Sequence, residues 1–183
     1  FNASYDGTFT LCIDTLADYD FYEGAIDITA FIGGCTPDAA YTTIGASPDL
    51  FAGSCWNNSG PQFNRWFKFT APATGRINIT VDRGGSKGSQ RRTQMALWEA
   101  DGVTEVDCKR YAFNDEDVEI SVPSITPGLT YYLSVDAFNA SYDGTFTICI
   151  NDDVSYDYFD GAIELTNLNN WCSTDASFTT IGG

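Results

Sequence analysis

The stretch Thr126–Ile150 reads TPGLTYYLSVDAFNASYDGTFTICI, and it sets the fold. Its two apolar runs, LTYYLSVDA around Leu133 and GTFTICI around Ile148, have the two-residue period of strands with one buried face. Thr126-Pro127-Gly128 and Tyr142-Asp143-Gly144 supply turn chemistry. The segment therefore reads as a closing hairpin with Asp143-Gly144 at its turn.

The same period extends toward the N-terminus. In GRINITVD, Ile77, Ile79 and Val81 share one face, as do Val118, Ile120 and Val122 in DVEISV. AIDIT near Ile26, RWFKFTA near Phe67, QMALWEA near Leu97 and TEVDCKRY near Val106 complete about eight strands. APATG at Ala71 and ADG at Ala100 separate them, and no stretch keeps a helical period. The expected class is all-β, an antiparallel sandwich of the jelly-roll or immunoglobulin-like kind, repeated in tandem.

The repetition is explicit. FNASYDGTFTLCI at Phe1–Ile13 returns as FNASYDGTFTICI at Phe138–Ile150, an offset of 137 residues. The register persists through Tyr19 and Tyr156, Gly24 and Gly161, Cys35 and Cys172, and the TTIG tetrapeptides at Thr42 and Thr179. A unit of this size is an autonomous domain rather than a solenoid repeat. Residues 1–18 then read as the last strand of a preceding repeat plus a linker, 19–150 as a complete sandwich, and 151–183 as a linker and the start of the next repeat.

At 183 residues with 43% hydrophobic content, the chain can bury a core. Its formal charge of −16 opposes binding to nucleic acid and to anionic membranes, and no apolar run is long enough for membrane insertion. With no histidine, the commonest general base and metal ligand are missing. No nucleophile elbow or phosphate-cradling loop stands out, so the reading is non-enzymatic.

The strings RWFKFTAPATGRINITVD from Arg65, MALWEADGVTEVDC from Met95 and ITPGLTYYLSVDAFNASYDGTFTICI from Ile125 resemble the β-sandwich repeats of large secreted Bacteroidota surface proteins, related in pattern to pre-peptidase C-terminal domains. That resemblance implies a type IX-secreted, extracellular or cell-surface module of a giant adhesin or fibre, of the grappling-hook kind, without catalysis. Asp14-Thr15-Leu16 resembles the O-glycosylation motif of that phylum, which marks Thr15.

Six cysteines without CxxC spacing or histidine point to disulfides and an oxidising compartment. Two maps are open. An internal one pairs Cys35 with Cys55 and Cys108 with Cys149. The other pairs Cys12 with Cys35, Cys149 with Cys172 and Cys55 with Cys108, locking neighbours together. The internal map is preferred because it closes on one unit, although strand parity turns Cys149 away from the core while Cys108 follows Val106 toward it.

All nine basic residues fall between positions 65 and 110. The loop DRGGSKGSQRR, carrying Arg83, Lys87, Arg91 and Arg92, is the candidate for self-association with acidic segments of identical chains. Asn139-x-Ser141-x-Asp143-Gly144 has the opening of a calcium loop, but position twelve is Ile150, so a hairpin turn is preferred. The acidic linkers, with Asp14, Asp18, Asp20, Asp152, Asp153 and Asp157, are the better candidate for calcium. Trp66 and Trp98 read as core, whereas Trp56, beside Asn57 and Asn58, is the candidate glycan platform. The leading functional expectation is a structural repeat of an extracellular filament or adhesin that attaches to other cells, prey or surfaces. The alternative is a carbohydrate- or protein-binding accessory module of a secreted hydrolase or adhesin.

Overall fold

A computed structural model describes residues 18–57, 60–113, 116–152, 162–166, 169, 171–174 and 178. Ten strands occur among them: β1 Ile26–Asp27, β2 Gly34–Cys35, β3 Tyr41–Thr42, β4 Arg65–Thr70, β5 Ile77–Asp82, β6 Thr93–Trp98, β7 Glu105–Arg110, β8 Val118–Val122, β9 Thr130–Ala137 and β10 Thr145–Asn151. The eight alternating runs all form strands. β2 and β3 are two-residue additions along β10 with no period of their own to announce them.

The strands form two sheets, ordered β1-β4-β9-β6-β7 and β3-β10-β5-β8. Phe67, Phe69, Leu97, Leu133 and Val135 from the first meet Ile77, Ile79, Val81, Phe146, Ile148 and Ile150 from the second in one core. The fold is an antiparallel β-sandwich whose inner faces are the alternating apolar positions of both sheets. Among the described residues, parallel pairing occurs at β1 with β4 and at the Ile32–Ile150 bridge.

The expected hairpin does not form. β9 and β10 lie in different sheets, β9 between β4 and β6 and β10 between β3 and β5. Phe138–Gly144 is thus an arch over one end of the sandwich. Each strand gains two partners this way, against one in an isolated hairpin, and their apolar faces meet across the core. Gly144 is required where the arch descends, because a Cβ there would lie 2.5 Å from the amide nitrogen of Gln90.

The chain comes in at one pole and leaves at the other. The turn Asp18–Asp20 sits beside Arg65 at the start of β4, and Arg65 Nε donates to the Thr42 carbonyl, whose residue pairs with Thr145 at the start of β10. From there β4 and β10 run in the same direction, bridged by Ile28–Phe31 and Ile32. The far pole holds the turns after β4, β6 and β8, where the Thr74 hydroxyl bonds the Asp152 carboxylate just past β10.

Candidate functional site

Two disulfides bind the unit, Cys35–Cys149 and Cys55–Cys108. The preferred internal map of Cys35–Cys55 with Cys108–Cys149 is therefore incorrect. Cys149 points outward from the four-stranded sheet, where β2 runs beside it through Gly33 N–H to the Ile150 carbonyl and Thr36 N–H to the Ile148 carbonyl. Cys108 lies on the outer face of the five-stranded sheet, opposite Ala96. Those two faces are on opposite sides of the core, so no bond can join them.

Strand parity does not carry from Val106 to Cys108 because β6 and β7 shift register between Leu97 and Trp98: Asp107 faces Leu97 but Glu105 faces Trp98. That bulge absorbs Val106, so Val106 packs on the main core while Cys108 faces out. The inter-repeat map is also corrected, since Cys35 and Cys149 are taken by each other; its Cys55–Cys108 link is present. Cys172 is exposed with a free thiol. Cys12 lies outside the described residues.

Asp20 is a buried anchor rather than an open metal ligand. Fully buried, its Oδ1 accepts from Arg65 Nη1 and from the Ser47 amide at 2.9 Å. The Arg65 guanidinium also donates to the carbonyls of Thr42 at 3.0 Å and Ile44 at 3.1 Å and lies 5.1 Å from the Tyr19 ring centroid. Asp18 is exposed at this pole and Asp152 is bound to Thr74 at the other, so the unit does not bring the acids together. Asp14, Thr15, Asp153 and Asp157 lie outside the described residues. Among those described, the grouping with metal-ligand geometry is Cys35, Asp82 and Cys149, and its sulfurs are consumed by the disulfide.

The basic loop is tied to its own unit. Lys87 Nζ meets Asp38 Oδ1 at 2.7 Å, which lowers the Asp38 pKa and raises that of Lys87 through their hydrogen bond. Arg83 Nε donates to the Gln90 carbonyl at 2.6 Å. The Arg92 guanidinium lies 4.4 Å from the Tyr142 centroid, 5.4 Å from Phe138 and 5.5 Å from Tyr111, with Arg91 5.6 Å from Tyr142. This explains the arch: Phe138 and Tyr142 of FNASYDG supply cation–π faces. Asn139 Oδ1 accepts the Ser141 amide at 2.9 Å as an Asx turn, which makes it part of a turn.

Trp56 is not a glycan platform. It is 7% exposed, and its Nε1 donates to the Met95 carbonyl at 3.1 Å. With Trp66, Trp98, Ala25 and Ala96 it forms a second apolar cluster on the outer face of the five-stranded sheet, under the long loop between β3 and β4. Cys55–Cys108, Ser54 to Glu105 and the amides of Gln62 and Phe63 to Asp136 pin that loop down. Asp136 is fully buried there, and burial pushes its pKa up to about 6 against the pull of its amide donors.

A groove of about 550 Å³ opens between edge strands β7 and β8, lined by Asp107, Lys109, Arg110, Glu116, Asp117 and Glu119. Its lining is polar and charged. Sequence reasoning did not identify it, nor the Asp20–Arg65 pair or Asp136. An arginine opening the RWFKFT strand, where an inward-facing run begins, was the available signal for the pair.

No protein-family model and no curated protein matches the chain. Among solved structures, it is similar to the CBM35 of Cellvibrio japonicus Abf62, with 13% identity, TM-score 0.35, and 57% of this chain and 81% of that one covered. It is also similar to CsCBM6-3 of Clostridium stercorarium in complex with cellobiose, with 11% identity, TM-score 0.39, and coverage of 70% and 98%. A third is a Paenibacillus cycloisomaltooligosaccharide glucanotransferase complexed with cycloisomaltoheptaose, with 13% identity, TM-score 0.33, and coverage of 68% and 19%.

Proposed function

We propose that the chain is a load-bearing repeat of an extracellular filament or adhesin, of the kind its sequence resembles in Bacteroidota surface proteins, with units joined end to end and no turnover chemistry. The observation that carries this reading is the placement of Cys35–Cys149. Cys35 follows the incoming segment, Cys149 precedes the outgoing residues, and 114 positions of sequence separate them. Tension applied at Asp18 and Asp152 runs from the incoming segment through the sulfurs to the end of β10. Residues 36–148 form a closed loop outside that path. Placing the chain ends at opposite poles makes the load axial, and the disulfides suit an oxidising exterior.

Electron microscopy of the secreted parent protein tests this reading. Thin rods with an axial spacing of about 40 Å, the diameter of a sandwich of this size, are expected. A compact particle with no axial repeat would overturn it. A second reading, a module that binds a glycan or a protein, is favoured by the charged groove between β7 and β8. In that case glycan or protein binding should be lost in Lys109→Ala and Asp117→Ala.

A further inference from the structure

We infer that successive units dock pole to pole, the exposed isoleucine of the TTIG turn in one unit seating on the Leu129 ledge of the unit before it. This rests on the end-to-end reading above and adds a fixed interface to it. The connection between units is short. β10 ends at Asn151, and Ser155 is the repeat counterpart of Asp18, where the first turn of a unit begins. Only Asp152, Asp153 and Val154 intervene, and four Cα steps span at most about 14 Å. Two sandwiches roughly 40 Å across and joined so closely must touch at their facing poles.

Both poles present apolar side chains. At the incoming pole, Gly45 takes φ +69° and closes a turn, with Ala46 N–H bonded to the Thr43 carbonyl, that holds Ile44 outward at 56% exposure. Ile44 is fixed there, because its carbonyl binds the guanidinium that grips Asp20, two residues from the incoming chain. Phe21, next in sequence to Asp20, is also exposed. At the outgoing pole Leu129 is 54% exposed, held by its carbonyl to Ala71 N–H, and it borders a recess of about 380 Å³ with Ala100 and Tyr131. Seating Ile44 against Leu129 would take the apolar surface of both side chains out of water. TTIG recurs at Thr179, so the next unit carries the same residue type at the same point.

Residues 18–152 contain their own core and both disulfides, so a chain carrying two copies of residues 18–154 in series is the direct probe. Backbone amide relaxation should show both copies tumbling as one elongated body. Ile44→Ser in the second copy, or Leu129→Ser in the first, should each bring the correlation time down close to that of a single unit, with the amide spectrum of each sandwich retained. The same substitutions on the outer poles should change nothing. Independent tumbling of the unsubstituted pair would overturn the docking. Rods in micrographs of the parent protein would then still stand, as flexibly jointed beads, so the two readings fail separately.

Discussion

Removing the Cys35–Cys149 bond should lengthen a stretched unit several-fold, by an amount the sequence positions fix. The repeat period is 137 residues, and a bond across 114 leaves 23 residue steps for extension. At about 3.5 Å per step the oxidised unit has a contour near 80 Å, so a folded unit about 40 Å long lengthens by only about 40 Å. With Cys35→Ala and Cys149→Ala, the remaining Cys55–Cys108 bond across 53 residues leaves 84 steps, about 290 Å. Full reduction exposes all 137, about 480 Å. Force spectroscopy on a multi-copy chain reads these increments directly. The double variant also loses about 5 kcal/mol of loop-closure stabilisation, but its fully stretched contour does not depend on whether it was folded beforehand. An oxidised increment near 230 Å, from the contour of about 270 Å that Cys35–Cys55 with Cys108–Cys149 would leave, would refute the load path.

Three further outcomes concern the folded unit. Asp20→Ala should cost about 3–5 kcal/mol in urea melts, because it strands the buried Arg65 guanidinium, and calcium should not restore it. Trp56→Ala should cost about 3–5 kcal/mol by opening the outer cluster while leaving glycan-array profiles unchanged. Asp136 holds its proton more tightly folded, at about 6, than unfolded. Its contribution is therefore fully present below about pH 4 and is lost as pH rises through 6, a total near 3 kcal/mol. Asp136→Asn should flatten that decline in denaturant melts at pH 4 and pH 7.

The strands were legible because their signal is local: Ile77, Ile79 and Val81 name a buried face whatever else the chain does. Sheet membership was not. Whether β9 and β10 pair or face each other is decided by what lies between them, and no local feature of YDG distinguishes a hairpin turn from an arch. The cysteine parity failed at one extra residue, Val106, since a single bulge inverts every assignment beyond it. Trp56 stands in a polar string, CWNNSG, that reads as exposed until the loop folds over Trp66 and Trp98. Asp20 and Arg65 are 45 residues apart; Arg65 at the head of an inward-facing strand hints at a buried acidic partner, but nothing local says which acid it is. The repeat itself was wholly legible, and it made the three-residue connection between units countable.

The load path depends on one covalent link, and peptide mapping of the secreted, alkylated protein under non-reducing conditions tests it most directly. A cross-linked peptide joining Cys35 to Cys149, alongside one joining Cys55 to Cys108, is the expected result. A peptide joining Cys35 to Cys55, or Cys12 to Cys35, would contradict it, because part of the 36–148 segment would then lie in the line of tension.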